Sequence, residues 1–291
     1  MPSGLDIDYG KPLNGSMASY TQQLLLCTGK DDWPSKIETE EGVNAAQGLG
    51  QLLGRGGKFS NPFHRVAVTN ASFKSAPPTA GSKSPSTSAY LLPDFKWIPQ
   101  VPLDMNSLET LAQDYLSSTP IVGSEGSSNG DKTTASALRA QSSVQSQDFR
   151  EVLVLICGHG GRDQRCGVMG PLLRSEFHKV ISSDDRFTLQ TEEPNSRVAQ
   201  PDSSATTRHD IRVGLISHIG GHKFAGNVIV YIPSTFGGPE QRHALAGKGI
   251  WYGRVEPKHV DGIIRETIVK GNVISELFRG GIDQDGQILR I

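Results

Sequence analysis

Residues 152–173 read VLVLICGHGGRDQRCGVMGPLL, and this stretch decides how the C-terminal half is built. Val152 to Ile156 is an unbroken apolar run, short enough for a central strand covered on both faces. It breaks at Cys157 into a glycine-rich loop. Beyond the loop, Met169, Leu172, Leu173, Phe177 and Val180 recur at helical spacing and make one apolar face. Proline is tolerated only in the first turn of a helix, so Pro171 predicts a helix start near Val168.

Working outward, Ile211–Ile216 and Val228–Ile232 read as two more strands, and Gly249–Gly253 as a fourth. Pro257 then opens a helix whose buried stripe is Val260, Ile263, Ile264 and Ile268. The order is strand, helix, strand, strand, strand, helix, which fits a thioredoxin-like sheet in an α/β (α+β) protein. The polar segment 182–209 reads as an insertion between core elements. The N-terminal half carries a smaller α/β core. Leu24–Cys27 is one predicted strand and His64–Val68 another, while Asn106-Ser-Leu-Glu109 is a capping-box start for a helix reaching about Leu116. Two Ser/Thr/Gly/Pro-rich stretches interrupt it. Ser75–Ser88 reads as a disordered surface loop, and Ser117–Gln147, which contains GSEGSSNG at 123–130, as an interdomain linker. The division expected is 1–118 for the N-terminal α/β domain, 119–148 for a flexible linker and 149–291 for the thioredoxin-like domain.

Composition removes several function classes. A net charge of −1 gives no global attraction to nucleic acid or a membrane surface. No run of 18 apolar residues is present, so no membrane span is expected. Residues 1–16 are neither Arg-rich nor built around an apolar core, and read as neither transit nor signal peptide. Three cysteines in 291 residues do not make a disulfide scaffold. Cys27 follows three leucines in a predicted strand and reads as a buried structural thiol.

The chemistry gathers in two loops, each directly after a predicted strand. The first runs from Cys157 to Cys166 as CGHGGRDQRC, and the second from His218 to His222 as HIGGH. Two cysteines and two histidines are soft or borderline metal ligands, and the glycines let the backbone wrap closely and aim its amides inward. Three readings stand. A zinc module would use a common Cys2His2 set, but the eight-residue gap between the cysteines departs from the usual short spacing. A thiol–disulfide oxidoreductase using Cys157 and Cys166 has the right strand-to-helix position, but lacks C-x-x-C and leaves the histidines idle. A larger inorganic core suits the wide gap. No nucleotide or flavin fingerprint is present, so an electron carrier is favoured over an enzyme.

The second half resembles the thioredoxin-like [2Fe–2S] ferredoxins, which place two cysteines in an early loop and a C-x3-C pair in a later one. Here the later pair is His218-x3-His222. That change, together with the Cys157–Cys166 loop, SHIGGHKFAGN at 217–227 and LLLCTGKDDWP at 24–34, resembles the sucrase/ferredoxin-like family. The resemblance implies a [2Fe–2S] cluster held by Cys157, Cys166, His218 and His222. It implies a one-electron carrier or redox sensor with an unidentified redox partner protein. It also implies a mitochondrial location, with a cytoplasmic one as the alternative. Two neutral imidazoles in place of two thiolates remove negative charge, so the potential is expected above that of all-cysteine clusters, with proton-coupled chemistry at the histidines. His159 resembles half of a Rieske site; with no second Cys-x2-His loop to complete it, it is expected to support the site from outside the ligand set. Arg162 and Arg165 read equally as residues that set the potential or form a docking surface and as solvated loop arginines. His64, His178, His209, His243 and His259 are read as surface or structural.

Overall fold

The computed structural model describes residues 2, 4–42, 44–78, 84–117, 144–194, 208–238 and 242–291. The linker residues 118–143 and the insertion residues 195–207 lie outside that set. Two lobes of the same design make the molecule. In the first, β1 (Gln22–Cys27), α1 (Ala45–Leu53), β2 (Val66–Ala71), β3 (Ser86–Leu92), β4 (Lys96–Pro102) and α2 (Met105–Leu111) follow in order. The short β5 (Gln147–Asp148) pairs with the edge of β4. In the second lobe come β6 (Val152–Cys157), α3 (Gln164–Ser182), β7 (Phe187–Leu189), β8 (His209–Ile216), β9 (Val228–Ile232) and β10 (Lys248–Tyr252). A helical run, α4, follows from Pro257 through Val269, and β11 (Phe278–Ile282) and β12 (Ile288–Leu289) close the chain.

Strand pairing makes the repetition explicit. β1 runs parallel to β2 and antiparallel to β3, which pairs antiparallel with β4. β6 runs parallel to β8 and antiparallel to β9, which pairs antiparallel with β10. Each lobe is therefore a βαβ unit followed by a β-hairpin and a helix, the thioredoxin-like arrangement. The lobes join where β2 meets β8 antiparallel through Ala71 and Ile216, which gives one continuous sheet. The hydrogen bonds across this junction are reciprocal. Asn70 N–H donates to Ser217 Oγ at 2.9 Å and Leu215 N–H to Ser72 Oγ at 3.0 Å. Ser217 N–H donates to the Asn70 carbonyl at 2.8 Å and Ser72 N–H to the Leu215 carbonyl at 2.9 Å.

β1 and β6 are buried along their whole length; β6 is the unbroken apolar run a strand covered on both faces requires, while the buried Gln23 of β1 bonds Thr69 and Tyr231. Several expectations need correction. The N-terminal half has a thioredoxin-like topology of its own. The stretch 75–88 is not a free loop where it is described: Ser86–Ser88 begin β3, Ala76 N–H donates to Ser88 Oγ at 2.7 Å and Ser75 Oγ lies 2.9 Å from Thr87 Oγ1. Residues 144–148 at the end of the expected linker are part of the fold, with Val144 buried and β5 on the sheet. Within 182–209, β7 pairs parallel with β8. The α2 cap is Asp104, which accepts from Ser107 N–H, and not Asn106.

The helix after the first loop starts four residues before the expected position. Asp163 caps α3 by accepting from Arg165 N–H at 3.0 Å, so Pro171 lies inside the helix and Cys166 in its first turn. Its buried stripe is Cys166, Met169, Leu173, Phe177 and Ile181, while Leu172 faces outward at 39% exposure. A Cβ on Gly170 would stand 2.5 Å from Gly158 Cα. Only glycine lets α3 press this close to the end of β6.

Candidate metal centre

Cys157 ends β6 and is buried; its N–H donates to the Asn227 carbonyl at 3.0 Å. The chain then turns tightly, with Arg162 and Asp163 N–H groups both donating to the His159 carbonyl. That turn and the close Gly158–Gly170 packing bring Cys166 back beside Cys157, close enough that each thiol shifts the other's proton affinity. The Cys166 contact, helped by His218 and the His159 N–H, pulls the Cys157 thiol well below its ordinary range against burial. The Cys157 contact and burial push Cys166 up. Both cysteines are free thiols.

The second loop leaves the sheet one lobe-strand away. Cys157 and Ile216 are register partners on β6 and β8, so His218 emerges beside Cys157. Gly220 and Gly221 are left-handed, at φ 85° and 75°, and fold His222 back into a short 3-10 turn, His222–Phe224. The two imidazole centroids stand 5.3 Å apart. Nδ1 of His218 and Nδ1 of His222 are both buried without a hydrogen-bond partner among the described residues. His222 Nε2 lies 3.8 Å from Asp163 Oδ2, and burial lowers its proton affinity against the pull of Asp163. Arg165 binds that carboxylate through Nε and Nη2 and holds it at about 2.

The four residues singled out in the sequence thus meet at one end of the second lobe. Among the described residues no group of three or more His, Cys, Asp or Glu side chains converges as a single-ion site. The donor set nonetheless fits a larger soft-metal group. It offers a thiol pair on one loop and two imidazoles on the other, each with one buried nitrogen that nothing else satisfies. An unsatisfied buried polar atom costs about 1–3 kcal/mol, so two in one loop call for a ligand.

His159 is fully committed elsewhere. Its Nδ1 accepts from His218 N–H at 3.0 Å and its Nε2 donates to the Trp33 and Pro34 carbonyls at 3.0 and 2.9 Å. It pins the second loop and an N-terminal segment to the first loop. Arg162 reaches only Ser35 Oγ, at 3.3 Å, and is exposed. His209 and His243 pack on Phe236, His64 bonds Gln22, and His259, in the first turn of α4, accepts from the Glu256 N–H at the helix N-cap. Cys27 is buried in the first lobe, where burial raises its thiol. Arg279, which packs against the second loop, carried no signal in the sequence; Asp163 carried one, as an Asp ahead of a helical apolar stripe.

The sequence profile of the sucrase/ferredoxin-like family matches residues 13–280. A protein of Debaryomyces hansenii called altered inheritance of mitochondria protein 32 is 34% identical over 290 residues, covering 97% of this chain and 90% of its own. A protein of the same name from Meyerozyma guilliermondii is 30% identical, covering 97% of this chain and 88% of its own. A thioredoxin-like [2Fe–2S] ferredoxin from Aquifex aeolicus aligns with 45% of this chain and 91% of its own, at 15% identity and a TM-score of 0.28.

Proposed function

Because the chain belongs to the sucrase/ferredoxin-like family, we propose that it is an electron-transfer or redox-sensing protein holding a [2Fe–2S] cluster on Cys157, Cys166, His218 and His222. The observation that carries this reading is the pair of buried Nδ1 atoms, without a hydrogen-bond partner among the described residues, on the loop beside Cys157 and Cys166. Such a cluster supplies reversible one-electron chemistry, at about −150 to +300 mV with two histidines against about −400 mV for plant-type all-cysteine sites.

The chain's own groups set how the electron moves. Were Nδ1 to hold the group, the Nε2 of the half-exposed His222 would stay free to carry a proton, 3.8 Å from Asp163 Oδ2. A proton there is held more tightly after reduction, so the potential falls as pH rises, by up to about 59 mV per unit for one coupled proton. The partner is a redox protein that docks at this end of the second lobe. The names of the relatives, which refer to mitochondrial inheritance, support a mitochondrial association.

One observation favours a second reading. Cys157 and Cys166 lie side by side as free thiols, with the Cys157 thiol pulled down and the Cys166 thiol pushed up, a pairing that suits a dithiol–disulfide couple. Iron and acid-labile sulfide analysis of anaerobically purified protein separates the readings. Two irons and two sulfides per chain with visible absorbance support the cluster. Colourless protein that interconverts between dithiol and Cys157–Cys166 disulfide supports the oxidoreductase, and stoichiometric zinc a zinc module.

A further inference from the structure

Arg279 lies on β11 and is 1% exposed, yet among the described residues it has no carboxylate partner. Its guanidinium is held entirely by neutral groups. Nε donates to Ser16 Oγ at 3.1 Å and Nη2 to the Ser16 carbonyl at 2.7 Å. Nη1 donates to the Gly220 carbonyl at 3.2 Å and to Asn227 Oδ1 at 2.6 Å. The rings of Phe224 and Trp251 flank it at 5.5 and 5.6 Å. It is pressed against the histidine loop so closely that a Cβ on Gly221 would stand 2.4 Å from Nη2. Asn227 extends the contact, since its Nδ2 donates to the Gly221 carbonyl at 3.0 Å and its carbonyl accepts from Cys157 N–H.

A buried cation without a counter-ion costs several kcal/mol even after relaxation, so a charge kept in this position needs a compensating negative group. Burial lowers the Arg279 proton affinity to about 10, which leaves it charged at neutral pH, and the hydrogen bonds from its Nη1 reach the histidine loop at Gly220 and Asn227, whose carbonyl holds the Cys157 N–H. We propose that Arg279, packed on the histidine loop, is the fixed counter-charge of the metal centre, placed to raise its reduction potential by favouring the added electron. This rests on the cluster reading above. Arg279 touches the histidine loop, not the thiols, so it acts by charge through the protein and by positioning Gly220 and Asn227.

Two variants separate charge from positioning. Arg279→Gln removes the charge and keeps part of the hydrogen bonding; Arg279→Lys keeps the charge and loses the planar fork. Redox titration of the full-length, iron-loaded protein followed by its visible spectrum is the measurement. The Gln variant is expected to lose about tenfold or more in electron affinity, a potential lower by roughly 59 mV for one electron. The Lys variant is expected to keep the wild-type potential. The Gln shift should persist in high salt, because buried charges are poorly screened, whereas any shift in the exposed control Arg162→Gln should shrink. An unchanged potential in Arg279→Gln, or an equal fall in both Arg279 variants, overturns the proposal. If Arg279→Gln does not fold, the Lys variant decides: a wild-type potential supports the counter-charge and a lowered one overturns it. Iron-free wild-type protein overturns the cluster reading and this proposal together, which distinguishes that failure from a loaded wild type with the wrong Arg279 response.

Discussion

Cys27 and Cys157 occupy the same register position in the two lobes, at opposite ends of the row Cys27, Ala71, Ile216, Cys157 across the sheet. Only one of the two has company. The position that carries His218 in the second lobe carries Phe73 in the first, two residues beyond the junction pair. Cys27 is therefore packing, and Cys27→Ala is expected to leave the visible spectrum and metal content unchanged while lowering stability by about 1 kcal/mol, within the usual range for a small core truncation. Cys157→Ala is expected to abolish the bound iron. Spectra and urea unfolding of both variants check this. Loss of absorbance in Cys27→Ala would move the centre to the other lobe.

His159 ties three segments with two ring nitrogens. Replacing it with Ala strips the partner from His218 N–H and from the Trp33 and Pro34 carbonyls. A buried group left unsatisfied costs about 1–3 kcal/mol, so His159→Ala should lower the denaturation midpoint markedly and reduce cofactor retention. The spectrum of whatever cofactor remains should keep its shape, because the ligands are unchanged. A shifted spectrum in the loaded fraction would make His159 a ligand.

Two glycines in helices should respond in opposite directions to alanine. At Gly170 the new Cβ meets backbone at Gly158 and has nowhere to go, so Gly170→Ala should cost about 1–3 kcal/mol, as overpacking does, and displace Cys166. At Gly262 the nearest atom is Ile274 Cδ1 at 3.9 Å, and Gly262→Ala should stabilise by about 0.4–1 kcal/mol through the unfolded chain. Thermal unfolding of the two variants is the check. Equal tolerance at both sites would mean α3 does not press on β6 as described.

Asp163 gives the site an acid limit. Its folded value of about 2 lies below the ordinary 3.8, chiefly through Arg165, so its carboxylate is favoured by the fold. A depressed acid contributes stability that is complete above its unfolded value and is lost as pH falls from about 4 toward about 2. Asp163→Asn keeps an acceptor for the cap and removes the charge. Unfolding midpoints at pH 5, 3 and 2 should drop less steeply in the variant than in the wild type. Parallel curves would show that the Arg165 contact is solvent-screened and immaterial.

Much of the second lobe was legible because its signals are local. The apolar run at 152–156, the strands at 211–216 and 228–232 and the stripe after Pro257 each fall on the observed element. The two Cys/His loops stood out in the sequence because each gathers its donor types within ten residues. What was not legible depends on long-range packing. β3 opens on Ser-Thr-Ser and β4 carries Pro99, so neither showed clean alternation; they exist because β1 supplies a central partner for β3 and β3 one for β4. The repetition of the lobes is topological, and only the strand register aligns Cys27 with Cys157. Pro171 misled the start of α3 because the usual penalty for an interior proline is outweighed here by the Asp163 cap and the tight Gly158–Gly170 contact. Arg279 lies more than fifty residues from the loop it supports, and nothing beside it in the chain marks it.

The central claim is that His218 and His222 bind iron through their nitrogens, and nitrogen couplings in the reduced, paramagnetic protein test it most directly. Pulsed EPR of protein made with 15N-histidine should show two strongly coupled histidine nitrogens. One should vanish in His222→Cys and the other in His218→Cys, while the iron content holds. A loaded protein with no strongly coupled histidine nitrogen, or with couplings that survive replacement of both residues, would contradict the account.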